Sequence, residues 1–146
     1  MKQHAFRDAE FMTAREKALV LKAWVRFLKN GLRFGDFTRR LYEHLHLDCQ
    51  FIAHYERLGF YQTYFEHGED TLRFLSQFDG RGECRSVEYG MTSWREGEYG
   101  DLAKAMIEEA APYLPNLIAQ AQARGREADL AEAKRLHAKH GYELPS

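Results

Sequence analysis

The chain has 146 residues, enough for one domain with a sizeable hydrophobic core, and its 45% hydrophobic and 29% charged composition is ordinary for a globular protein. No apolar run approaches the ~20 residues that span a bilayer, and the opening MKQHAFRDAEFM lacks the continuous apolar stretch of a signal peptide. Two cysteines, Cys49 and Cys84, with no C-x-x-C, make no disulfide framework, so a cytoplasmic location without membrane partners is expected.

The net charge of −1 conceals a split. Residues 1–40 carry ten Lys/Arg against four Asp/Glu, residues 41–110 six against fourteen, and residues 111–146 five against four. Such asymmetry points to a charged partner, or to a basic first helix lying on the acidic middle of its own chain.

Residues 1–12 read as a flexible arm, with Phe6 and Phe11 as the side chains able to dock. Thr13-x-x-Glu16 has the spacing of a capping box and predicts a helix over 14–30. Its apolar stripe is Ala14, Ala18, Leu21, Trp24, Val25, Leu28 and Leu32, and Asn30-Gly31 is its stop signal. Asp36 is positioned to cap a second helix over 37–58 that ends at Gly59. At about 100° per residue, Phe37, Leu41, Leu45, Asp48, Ile52 and Tyr55 share its core face, widened by Leu47 and Leu58, while His46 lies opposite.

A third helix spans 60–78. Gly68 sits on its apolar face, either breaking it, with Asp70 capping the second half, or admitting a close helix–helix approach. Residues 80–98 are glycine-rich and read as a short irregular or hairpin insert. Asp101 starts a further helix, and Pro112 and Pro115 separate it from an alanine-rich one running from Asn116 to about His140, with Gly125 as a candidate break. Residues 126–146 offer few large apolar side chains and are expected to pack lightly or to meet a partner. The expected architecture is all-α, a single-domain bundle of roughly five or six helices.

The most informative feature is polar. His44 and Asp48 are spaced i, i+4 inside an apolar face, and a buried carboxylate is costly unless something holds it. The pair is either a satisfied structural contact or a carboxylate-oriented imidazole, with His44, Asp48 and Tyr55 as candidate catalytic residues. Glu66 and His67, with His54 behind them, are the donors that would extend His44 and Asp48 into a metal site. Glu43-x-x-His46 is a single E-x-x-H, where di-iron bundles use two, so no metal and no cofactor are expected. Tyr42, Tyr55, Tyr61 and Tyr64 are the hydroxyls expected near Asp48 and His54.

Arg15, Lys22, Arg26, Lys29 and Arg33 recur at near-integral turns and form a basic row suited to phosphates. No phosphate loop, G-x-S-x-G or H-E-x-x-H is present. Three readings therefore stand side by side. The leading one is a non-enzymatic binding protein whose partner is another protein or a second copy of itself. The alternatives are nucleic-acid contact through the basic row, and an enzyme or metal site around His44 and Asp48.

Overall fold

The computed structural model describes residues 3–49, 51, 56–79 and 97–140. Among them are six α-helices and no strand: α1 (Ala14–Lys29), α2 (Arg39–Glu43), α3 (Arg57–Phe65), α4 (Gly68–Ser76), α5 (Gly100–Ala110) and α6 (Leu114–His140). The chain is all-α, as its periodicity predicts. Most of the glycine-rich stretch expected as an insert lies outside the described residues, and its end, Gly97–Tyr99, forms a 3-10 turn leading into α5.

α1 begins as its sequence dictates. The Thr13 side chain accepts the Glu16 N–H, and the Glu16 carboxylate accepts the Thr13 N–H. The helix stops at Asn30, after which Gly31 (φ 82°) and Leu32 (φ 63°) both adopt the left-handed conformation. That turn is held by Leu32 N–H on the Phe27 carbonyl and by the Tyr61 hydroxyl on the Leu32 carbonyl. The buried face is Lys17, Val20, Leu21, Trp24, Phe27 and Leu28. It is rotated from the expected stripe, since Ala18 is exposed and Lys17 takes a core position.

The second predicted helix is the main correction. Thr38, not Asp36, caps α2 by accepting the Leu41 N–H. α2 lasts five residues and passes into a π-helical turn over His44–Asp48, closed by Cys49 N–H on the His44 carbonyl. The wider turn changes the angular phase of everything after Leu45. Leu41 and Leu45 stay fully buried, but Leu47 is 64% exposed. His46, expected on the polar face, stacks on Tyr42 at 5.5 Å and meets Phe60 edge-on. Ile52, His54 and Tyr55 lie outside the described residues. Gly59 does not end a helix; it lies within α3, where Leu58 is exposed rather than core.

The third predicted helix divides into α3 and α4 at residues 66–67. His67, not Asp70, holds the N-cap position of α4 and makes no side-chain cap. Gly68 serves both of its predicted roles, because a Cβ there would collide with the Ala121 carbonyl and stand 2.7 Å from the Gly125 nitrogen. α6 therefore lies directly against the start of α4. Arg124 seals the joint by donating to the Phe65 carbonyl at 2.9 Å, a cation on the terminal carbonyls of α3.

The core that results is largely aromatic. Trp24, Phe27, Phe37, Phe60, Phe65, Phe74 and Phe78 are buried, with ring centroids 4.8 Å apart for Phe65–Phe74 and 4.6 Å for Trp24–Phe78. Trp24 also donates its indole N–H to the Met106 carbonyl, joining α1 to α5. Pro115 falls in the first turn of α6, where its missing N–H costs nothing, and α6 runs through Gly125 without a break. No helix among the described residues is long and apolar enough to cross a membrane.

Candidate functional site

Three features bear on function: a buried polar cluster between α1, the π turn and the lead-in to α5; the basic row; and the far half of α6. In the cluster, His44 is completely buried, and its Nδ1 lies 2.8 Å from Asp48 Oδ2. An ionised carboxylate only accepts, so the ring donates Nδ1–H and leaves Nε2 as a bare lone pair. That Nε2 is buried and has no hydrogen-bond partner. Asp48 is less buried than its place in the periodicity implied, with about a fifth of its side chain exposed. The π turn explains this by carrying Asp48 towards the rim.

The tyrosine beside the pair is Tyr99, whose ring meets His44 edge-on at 5.8 Å. Burial, then the charges of Asp48 and Glu98, push its phenol above the ordinary range. Tyr61 bonds the Leu32 carbonyl, and Tyr42 and Tyr64 pack among aromatic rings. Tyr55 and His54 lie outside the described residues, and Glu66 and His67 are exposed at the α3–α4 joint. Among the described residues no three His, Cys, Asp or Glu side chains converge on a metal position. Cys49 is buried and not in a disulfide.

Beyond Tyr99 lies an ion pair that the sequence reading missed. Lys17 is 1% exposed; its ammonium donates to Asp101 Oδ1 at 2.8 Å and to the Glu98 carbonyl at 2.6 Å, 6.0 Å from the Tyr99 ring centre. Asp101 also accepts the Arg7 and Leu102 N–H groups. Burial alone would raise its pKa, but the bonds from Lys17, Arg7 and Leu102 outweigh that and hold it below the ordinary range. The segment expected to be flexible is tied down here: besides Arg7, Glu10 N–H reaches Glu98, and His4 Nε2 lies 3.0 Å from Glu109. Phe6 packs on the core, while Phe11 is 80% exposed. A signal for Lys17 was present in its spacing of 4, 7 and 11 residues from Leu21, Trp24 and Leu28, the phase of the core.

The basic row is on the surface. Arg15, Lys22, Arg26, Lys29 and Arg33 are all exposed. Asp36, buried beneath them, takes Arg26 Nε at 3.1 Å, Arg33 Nη2 at 2.9 Å and Asn30 Nδ2 at 3.1 Å. The Arg33 and Asn30 bonds hold its carboxyl below the usual range against the opposing effect of burial. Of α1's cations only Lys17 reaches the acidic middle of the chain. Arg15, Lys22 and Lys29 form no ion pair among the described residues. A shallow groove of about 340 Å³ runs along Lys22, Val25, Arg26, Lys29 and Asn30. Two further cavities, of about 410 and 560 Å³, are lined by residues around Arg124 and around Arg7. None of the three is lined by His44, Asp48 or Tyr99.

α6 is 27 residues long, about 40 Å at the α-helical rise. Its first half is buried at Leu117 and Ala121. From Arg126 to Ala138 every side chain is exposed except Ala133 and His137, which are half-buried. Leu130 is 56% and Leu136 39% exposed. No protein family, curated protein or solved structure matches the chain.

Proposed function

We propose that the chain is a non-enzymatic binding protein and that the projecting half of α6 is its contact surface for another protein. The observation that carries this reading is the run of exposed helix from Arg126 to Ala138, with Leu130 and Leu136 in water. Most helical stability in proteins comes from packing, and this segment has little beneath it. A partner helix would supply that packing. The His44–Asp48 pair supports an enzyme less well, since none of the three cavities above reaches it.

Hydrogen exchange tests the reading. At low protein concentration the amides of 126–138 should exchange much faster than those of 114–121. They should gain protection as binding occurs, and a chain truncated before residue 126 should keep its body fold and lose association. Association unchanged by the truncation would end this reading.

Nucleic-acid contact is the second reading, favoured by the exposure of Arg15, Lys22 and Lys29 without ion-pair partners among the described residues. Each phosphate neutralised should contribute a slope of about −0.7 to −0.9 to log K against log salt. Lys22→Glu with Lys29→Glu should abolish binding to single- and double-stranded DNA at low salt while leaving the Asp36 cluster intact. Equal binding by this variant and the unmodified chain would remove the row as the contact.

A further inference from the structure

We infer that the partner of the projecting half of α6 is a second copy of the same segment, paired antiparallel about a two-fold axis through Ala133. This rests on the binding reading above and gives it an occupant. At about 100° per residue, Ala133 is the centre of a face flanked about 60° to either side by Leu130 and Leu136. A two-fold axis through residue 133 places residue 133−k of one helix opposite 133+k of the other, and the contact is self-complementary.

The sequence around Ala133 fits that operation. Leu130 meets Leu136 of the other copy twice, once on each flank, so both exposed leucines are covered. Asp129 meets His137, and Glu132 meets Lys134, again twice each. Charge is distributed to match: Glu127, Asp129 and Glu132 precede Ala133, while Lys134 and Arg135 follow it. A parallel pair would instead set each acidic residue against its own copy. Ala133 at the axis lets the helices approach closely, which brings the wider-set Glu132 and Lys134 within reach of each other. The monomer also leaves His137 Nδ1 shielded from solvent without a hydrogen-bond partner, on the side where Asp129 of the second copy would arrive. Two short helices bury less than the ~1,200 Å² of a standard interface, so the dimer is weak and concentration-dependent.

Disulfide trapping with sedimentation velocity tests the register on the full chain, with the unmodified protein as the control for Cys49 and Cys84. Ala133→Cys should give a covalent dimer under mild oxidation. Leu130→Cys and Leu136→Cys should each give little alone and a mixed dimer together. Ala131→Cys, about 160° from the axis, should give none. Lys134→Glu should weaken association about fivefold through two exposed pairs, and adding Glu132→Lys should restore it. Equal self-crosslinking at 130, 133 and 136 means a parallel pair and overturns the inference. So does an association that truncation before 126 abolishes but that Ala133→Cys does not trap, an outcome that leaves the binding reading standing. Association untouched by the truncation overturns both.

Discussion

Lys17 and Asp101 meet across 84 residues of chain, with the ammonium 2.8 Å from the carboxylate and the lysine sealed from water. The contact ties α1 to the start of α5 and, through Arg7 and Glu98, holds the N-terminal segment against both. The two partners are unequal, because Asp101 keeps about a fifth of its side chain in solvent while Lys17 keeps almost none.

That inequality predicts unequal mutants. Asp101→Ala strands a buried ammonium and should cost about 3 kcal/mol. Lys17→Met fills the same volume and leaves Asp101 its two backbone donors and partial solvation, so it should cost less than about 1.5 kcal/mol. Urea denaturation of both variants checks the order. Equal losses would mean that the ion pair itself, and not the stranded charge, sets the energy.

Acid should unlatch the same contact. The Asp101 and Asp36 carboxyls are both held below their ordinary values in the folded chain. A depressed pKa contributes stability that is fully present above the unfolded-state value, near ~4, and is lost as pH falls through the folded value. Stability should therefore hold from neutral pH down to about 5 and decline below that. Asp101→Asn should show a shallower decline, measured as the denaturation midpoint against pH.

The His44–Asp48 pair gives a graded series. Asp48→Ala leaves both ring nitrogens of a buried imidazole without partners and should cost about 1–3 kcal/mol. Asp48→Asn keeps an acceptor oxygen and should recover most of that. His46→Ala removes a ring stacked on Tyr42 and should cost about 1 kcal/mol, where a polar-face position would cost almost nothing. A silent His46→Ala would argue against the π turn.

Gly68 and Gly125 lie against each other yet should respond oppositely. Gly68→Ala drives a methyl into the backbone of α6 and should cost about 2–3 kcal/mol. A Cβ at Gly125 meets nothing within 4 Å, and Ala is the better helix former there, so Gly125→Ala should stabilise by about 0.5–1 kcal/mol. Thermal melts of the two single variants decide it.

The sequence carried the helical class, the Thr13–Glu16 box, the Gly31 stop and the dual role of Gly68, because these depend on local chemistry and on a regular period. It lost phase where the period itself changes. One π turn at His44–Asp48 moves Leu47 into solvent, His46 onto Tyr42 and Asp48 to the rim, and no residue type there announces it. The His44–Asp48 contact survived because i, i+4 neighbours stay close through such a turn. Asp36 resembled a cap by its position before a helix, yet three donors from Arg26, Asn30 and Arg33 claim it. Tyr99 and Asp101 reach Lys17 and His44 only through long-range folding, which periodicity does not encode.

The closure of α1 on α5 also sets an order for the nascent chain. The Trp24–Met106, Lys17–Asp101 and His4–Glu109 contacts are separated by 82, 84 and 105 residues. During synthesis the first helix emerges long before the segment that covers it, so Trp24 and its neighbours stand without their final cover until α5 has left the ribosome. Closing so long a loop is slow compared with forming the helices on either side of it. The interval in between is when this chain is most exposed to aggregation and most open to a chaperone.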